Sequence, residues 1–348
     1  MYLAHLKKLA IMNKFKYYFI LLITTVSLFS CSKDNNTAEI VPPRDYAVQY
    51  ATDLADIEEY LKNYYIEDVS PDVDTKITKI PAGGTQPSIF SYLNSPTFPK
   101  LLSREVKLHD ITYKLYYLVL REGTGTSPSN VDEIYTTYRG EYLTTTKVDA
   151  VTTQTTTKFE EWIYEPQKAN LFGYNIRGWK EIFPQFKTGN NTSNLDGTVS
   201  HTGFGAGVMF IPSGLAYYAS GNASIPAYAP LIFSFKLYEM QRLDHEYAIS
   251  GQSTLPTPDG IMSFQEDLDG DGYVWTKGEL PTGAINPDDT DKDGIPDFLD
   301  VDDDGDGYGT KIEITKNGVV YPFAAIPSCD GNTTNPARIK KHLDKNCY

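Results

Sequence analysis

Asp302, Asp304 and Asp306 alternate along the chain, Gly307 follows them, and Glu313 closes the run. Counting Asp302 as position one, carboxylates occupy three, five and twelve, and glycine occupies six. Alternating carboxylates on a tight loop converge on one point, glycine allows the turn, and the last Glu can engage through both oxygens. The chemistry on offer is the binding of a hard cation such as calcium. Asp289, Asp291, Asp293, Gly294, Asp297 and Asp300 repeat the theme as D-x-D-x-D-G-x-x-D-x-x-D. Asp267, Asp269, Asp271 and Gly272 begin a third loop, in which position twelve is Gly278 and the Glu stands one later, at Glu279.

The run from Asp302 to Glu313 has the spacing of an EF-hand loop. The stretch from Asp289 to Asp300 resembles the thrombospondin type 3 repeat, in which consecutive loops share ions. The resemblance implies structural calcium in this tail. Between Asp259 and Asp306 stand 16 acidic residues against 2 lysines, which matches the net charge of −14 for the whole chain. An acidic block of this kind argues against nucleic acid as a partner. Without metal the carboxylates repel one another, so the tail is expected to lose order in chelator.

A second constellation is aromatic. Thr137-Tyr138-Arg139-Gly140, Lys158-Phe159-Glu160, Ile176-Arg177-Gly178-Trp179, Ile211-Pro212, Leu215-Ala216-Tyr217, Ser224-Ile225-Pro226 and Leu231-Ile232-Phe233-Ser234-Phe235 follow in order. From about Leu115 to Met240 the chain resembles the FK506-binding-protein (FKBP) family of peptidyl-prolyl isomerases. The resemblance implies an α+β fold, an antiparallel sheet wrapped around one short helix. It implies rotation of Xaa-Pro bonds in proline-containing polypeptide clients, with no cofactor for catalysis. That rotation faces a barrier of about 18–20 kcal/mol and takes about 10–100 s uncatalysed. It calls for no nucleophile, only an apolar pocket that holds the twisted amide more tightly than the planar one.

The resemblance also assigns roles. Trp179 is the expected floor beneath the proline ring, and Tyr138, Phe159 and Phe233 are walls. The backbone N–H of Ile176 and the hydroxyl of Tyr217 are expected donors to substrate carbonyls. Ile225 closes the rim, and Glu160 stands where the family usually has Asp. Tyr218 occupies the place of a usual Gly, where it would narrow the rim or force unusual torsions. Asn175 replaces an apolar residue, and the loop from Phe159 to Asn170 differs in length. These departures leave open a binding or chaperone module with weak catalysis. The acidic tail leaves open a calcium-stiffened structural or adhesive protein.

The elements that must position these residues are legible in part. Asp45 is placed to cap a helix reaching about Tyr65. Ala47, Tyr50, Leu54, Ile57, Leu61 and Tyr64 make an apolar stripe along it, for packing on its own domain or for a homodimer. Residues 66–107 read as extended segments and loops. Ile111 to Arg121 reads as a strand, and one short helix is expected after Trp179, ending near Gly189. Thr144 to Thr157 extends a hairpin, and Asn190 to Gly207 reads as a mobile loop holding an exposed His201.

The N-terminus reads as an export signal. Met12 to Lys16 is a basic region that makes Met12 a candidate start, Tyr17 to Phe29 is apolar, and Leu28-Phe29-Ser30-Cys31 looks like a bacterial lipobox. That likeness implies lipidation of Cys31; Ser32 after it argues against retention in the inner membrane and Lys33-Asp34 resembles a surface-export signal, so the expectation is an outer-membrane anchor on the periplasmic or surface face. Cys329 and Cys347 remain as an even pair outside the cytoplasm, where a disulfide is expected. A zinc site with His342 is the alternative. The expected organisation is residues 1–31 as signal and lipobox, 32–44 as tether, 45–110 as N-terminal helix and extended segment, 111–243 as the FKBP-like domain, 244–315 as acidic repeats, and 316–348 as a C-terminal segment.

Overall fold

The computed structural model describes residues 42–348, apart from residues 71, 150, 175, 251, 252 and 348. The lipobox and Cys31 lie outside the described residues. Helix α1 spans Tyr46–Asn63. It starts where the sequence places its cap, because the Asp45 side chain accepts from the backbone N–H groups of Ala47 (2.9 Å) and Val48 (3.1 Å). It ends at Asn63, two residues short of Tyr65, where Tyr64 turns extended and the chain enters a small hairpin, β1 (Tyr64–Val69) with β2 (Thr75–Lys79).

The main body is a six-stranded antiparallel sheet. Its strands are β3 (Lys100–Leu108), β4 (Ile111–Arg121), β5 (Glu133–Val148), β6 (Val151–Asn170), β9 (Gly205–Ile211) and β10 (Leu231–Gln241), in the order β3-β4-β9-β10-β5-β6. The strand read from Ile111 to Arg121 has those bounds. Side chains alternate between faces along each strand, and both faces are buried. Tyr113, Leu115, Met209, Ile211, Phe233 and Phe235 point to one core. Tyr116, Leu118, Val208, Phe210 and Ile232 point to the other. Near-continuous apolar strands are what a sheet covered on both sides requires.

Helix α2 (Arg177–Ile182) fills the first face, with a 3-10 turn at Phe183–Gln185 after it. Trp179 therefore lies inside this helix rather than before it. Helix α1 covers the second face with Ile57, Tyr60 and Leu61, joined by Tyr64 at the start of β1. Of its apolar stripe, Ala47 is exposed, while Tyr50, Leu54, Ile57 and Leu61 pack on its own sheet. Fully burying each such side chain is worth about 1.5–3 kcal/mol.

One polar contact ties α1 to the far end of β9. Asp53 is buried and accepts from the Ser213 N–H (2.7 Å), the Ser213 hydroxyl (2.6 Å) and the Gln49 amide (2.7 Å). Burial pushes its carboxyl up to about 6, against the pull of those donors. Asp53→Ala strands the buried Ser213 N–H, and we expect a loss of about 1–3 kcal/mol in urea unfolding. An unchanged midpoint would show that the Asp53–Ser213 contact adds nothing to stability.

The Thr-rich stretch forms the distal half of the β5–β6 hairpin, with Thr144 opposite Thr155. Near its tip it is clamped to α1 by the Gln154 amide, which donates to Asp56 O (2.7 Å), and to the start of β1 by the Tyr64 hydroxyl, which donates to Gln154 O (2.8 Å). Residues 190–207 differ from the expected mobile loop. They form a hairpin, β7 (Asn190–Ser193) with β8 (Val199–Thr202), and then enter β9. His201 lies on that hairpin against the Tyr238 ring, with centroids 4.3 Å apart. The side-chain bonds Asn194 to Thr198 and Ser200 close it, which a count of polar residues does not foresee.

Arg44–Tyr348 makes up one compact unit. The acidic segment after residue 243 packs on the sheet domain through Val131, Val274, Phe298 and Leu299. Two reciprocal bonds, Asn130 Nδ2 to Val274 O (2.8 Å) and Val274 N to Asn130 Oδ1 (3.1 Å), fix the seam. Later come a short helix α3 (Thr310–Glu313) and hairpins β11 (Tyr247–Ser250) with β12 (Ser253–Pro256) and β13 (Thr315–Lys316) with β14 (Val319–Val320). Cys329 and Cys347 are bonded to each other, with Cα atoms 5.4 Å apart. That leaves no thiolate for the zinc alternative, and buried His342 is pushed down to about 3 by desolvation and by Lys340 and Lys341.

Candidate functional site

Strands β5, β6 and β10 and helix α2 bring four distant aromatics together. Tyr138 meets Trp179 edge-on, with centroids 4.9 Å apart at 84°. Phe233 meets Trp179 at 5.2 Å and 88°, and Phe159 meets Phe233 at 5.6 Å and 86°. Edge-to-face pairs of this kind add about 0.5–1.5 kcal/mol each beyond their burial. Gly140 is required by the box, because a Cβ there would stand 2.5 Å from Phe159 Cζ. Ile176 and Ile225 are buried beside the aromatics. Asn175, next to Ile176, lies outside the described residues.

The expected open floor is closed. Trp179 is 0% exposed, and Tyr174 lies flat on its ring, 4.4 Å away at 18°. Stacking and burial of two large rings favour this arrangement over an open indole face. The Trp179 Nε1 has no hydrogen-bond partner among the described residues. Tyr174 carries no motif, and no sequence signal singles it out.

A polar rim surrounds the box. Burial raises the Tyr138 phenol, and Tyr174 and Glu160, which both engage its hydroxyl, add to the effect. Burial likewise pushes Tyr174 up to about 12. Tyr217 is half-buried, is raised by burial and by Glu160, and its hydroxyl engages Asn222. Glu160 is exposed and accepts from Trp162 Nε1 at 3.1 Å. The arrangement offers phenol donors and one carboxylate around an apolar centre. Such a site can grip a ring and orient an amide, but it holds no nucleophile–base pair.

Tyr218 does adopt the torsion of the Gly it replaces, φ +46. A left-handed torsion costs a non-glycine residue about 1–2 kcal/mol. Its ring turns towards α1 rather than the box. It stacks on Tyr46 (4.2 Å, 19°), which stacks on His109 (3.6 Å, 11°), and its hydroxyl donates to Arg44 O. We expect Tyr218→Gly to leave any isomerisation rate within twofold while speeding amide exchange at the start of α1. A tenfold rate change would return Tyr218 to the pocket.

The tail reaches this site from the other side. Glu279 binds Arg177 and Lys180 of α2, the latter at 2.5 Å, and Arg177 Nε holds Glu181 at 2.7 Å. Burial opposes ionisation of Glu279, but Lys180 and Arg177 hold its carboxyl below the usual range. Glu279 is thus a strut to α2. Asp288 does reach the first loop, accepting from the Leu268 N–H at 2.8 Å, and is pushed up to about 7 by burial and then by Asp267, Asp269 and Asp271. The sequence reading omitted it.

The three loops share one geometry. Oxygens of Asp267, Asp269 and Asp271 lie within 4.8 Å of one another, as do those of Asp289, Asp291 and Asp293, and of Asp302, Asp304 and Asp306. In each loop the first Asp accepts from the N–H of the sixth residue, Gly272 (2.9 Å), Gly294 (3.0 Å) and Gly307 (3.0 Å). All three glycines have positive φ. Asp297 accepts from Thr290, Asp300 from Val301 and Asp302, and buried Glu313 faces Asp304. Three oxygens converging at this spacing suit a hard cation.

A family model described as BamM C-terminal matches residues 257–336. No curated protein matches. Among solved structures, a peptidyl-prolyl cis-trans isomerase from Pseudomonas syringae pv. tomato is 14% identical, with a TM-score of 0.32, over 58% of this chain and 100% of its own. FkpA from Escherichia coli is 27% identical, with a TM-score of 0.27, over 37% of this chain and 48% of its own. The N-terminal domain of FKBP42 from Arabidopsis thaliana is 18% identical, with a TM-score of 0.27, over 36% of this chain and 86% of its own. The chain thus spans about half of FkpA. The fold is mixed α and β with mostly antiparallel sheets and few helices. Among the described residues no helix is long and apolar enough to cross a membrane. These likenesses are low, so the function rests on the chain's own residues.

Proposed function

We propose that this chain is an FKBP-type peptidyl-prolyl isomerase acting on proline-containing polypeptides, with structural calcium in its Asp-rich loops. The observation that carries the reading is the aromatic box. Tyr138, Phe159, Trp179 and Phe233 come from four separate elements and meet edge to face, ringed by Tyr217, Ile225 and Glu160. A lipid on Cys31, which the Leu28–Cys31 motif supports, would anchor the chain, and Ser32-Lys33-Asp34 after it favour the outer membrane. Clients would then be exported proteins whose proline isomerisation limits folding.

Tyr174 favours a second reading. A proline ring reaches the indole face only if Tyr174 swings aside, so the module would bind weakly and turn over slowly. A protease-free assay on an Xaa-Pro peptide separates the two. We expect modest catalysis from the full chain and a several-fold higher kcat/KM from Tyr174→Ala. Background rates in both, from folded protein, would sink the isomerase reading and leave a binding module.

A further inference from the structure

A further set of acids, distinct from the three loops' own ligand triads, lies inside the fold. Asp259, Glu266 and Asp303 are buried, Glu266 at 3% and Asp303 at 2% exposure. Each offers an oxygen, and these oxygens lie within 4.8 Å of one another. Both carboxylate oxygens of Glu266 and Oδ2 of Asp259 have no hydrogen-bond partner among the described residues, and the Asp303 carboxylate has the uncharged Thr310 side chain as its partner. Buried polar groups are almost always paired, and buried like charges need a counter-charge.

The protein supplies little of it. Lys311 acts on Asp259, but its Nζ donates to Pro258 O at 2.7 Å. Among the charges that act on Glu266, the strongest are carboxylates, Asp303, Glu246, Asp259 and Asp297. All the converging atoms are oxygens, with no His or Cys among them. Oxygens that far apart fit around one centre at calcium's bond length of about 2.3–2.6 Å, and calcium takes 6–8 such ligands. Asp259 also belongs to a neighbouring triad with Asp244 and Glu246, which enlarges the supply of oxygens.

We propose that Asp259, Glu266 and Asp303 hold a buried calcium ion of their own, which pins the segment leaving the sheet to the third loop. Two of these residues precede the first loop. Asp303 sits at the second position of the third loop, which the alternating pattern does not use. The ion would therefore act as a clasp across the start and end of the acidic segment. Proton sharing among the three acids is the competing resolution.

The test is calcium binding by the full chain in equilibrium dialysis, paired with thermal melts in calcium and in EGTA. E266Q/D303N should bind one ion fewer than the parent chain. It should melt lower than the parent in calcium, where the clasp is lost, and higher in EGTA, where repulsion is relieved. Asp291→Asn serves as a loop control that leaves the clasp in place. Equal ion counts for E266Q/D303N and the parent would overturn the buried site alone, as would a variant that melts lower in both buffers. A parent chain that binds no calcium would overturn both the buried site and the loop reading. If the double variant does not fold, Glu266→Gln alone is read by the same three measurements.

Discussion

Trp179→Ala is expected to cost about 3–5 kcal/mol of stability and to reduce kcat/KM for Xaa-Pro peptides to background. The indole is fully buried and touches Tyr138, Tyr174, Phe183 and Phe233. Its removal opens a cavity that rigid β5 and β10 cannot close, so the lost contacts are not recovered. The melting temperature should fall by roughly 10 °C. Phe159→Ala separates function from stability. Phe159 is only half-buried at the edge of the box, so its loss should lower the rate with a smaller change in melting. A folded Trp179→Ala chain that keeps its rate within twofold would place the chemistry elsewhere.

Chelation is expected to have the second large effect. Each calcium site at a hundredfold excess over its Kd contributes about 3 kcal/mol to the folded state, and EGTA removes that contribution. The pH dependence should then change sign. In the metal-free chain, burial and neighbouring acids push Asp304 up to about 6, Asp288 and Asp297 to about 7, and Glu313 to about 8. Unfolded carboxyls titrate near 4. Groups raised on folding favour the folded state at low pH and lose that contribution as pH rises through 6–8. In EGTA the chain should therefore melt higher at pH 5 than at pH 8. In calcium the order should reverse, because the ion binds deprotonated oxygens. Identical pH profiles in both buffers would remove calcium from the account.

Local spacing carried much of this structure. The Asp45 cap, the stripe on α1, the bounds of β4 and the D-x-D-x-D-G triads are all short-range patterns, and each has a local physical cause. The members of the aromatic box were legible only as an ordered set, since no single aromatic among 26 tyrosines and 16 phenylalanines announces itself. What stayed hidden depends on contacts far apart in sequence. Tyr174 covers Trp179 because of how its loop packs, and no spacing rule encodes that. Counting puts Gly278 at position twelve of the first loop and Glu279 one later; Glu279 is drawn to Arg177 and Lys180, while Asp288, off the pattern, accepts from the Leu268 N–H inside that loop. Glu266 and Asp303 fall off the alternating pattern and become neighbours only when the acidic segment folds back on itself.

The strand order β3-β4-β9-β10-β5-β6 has a consequence for how the chain acquires its fold. β10 joins the two halves of the sheet, pairing with β9 on one side and β5 on the other. It is also the last of the six to be synthesised. Residues as early as Ile57 and as late as Ile232 share one core, so many native contacts have large sequence separation. Such topologies close their loops before contacts reward them, and they fold slowly. A nascent chain that stops short of Leu231 exposes the unpaired edges of β9 and β5 and lacks Leu231, Ile232, Phe233 and Phe235 from both cores. Truncations ending before β10 should therefore aggregate rather than form a smaller version of the domain.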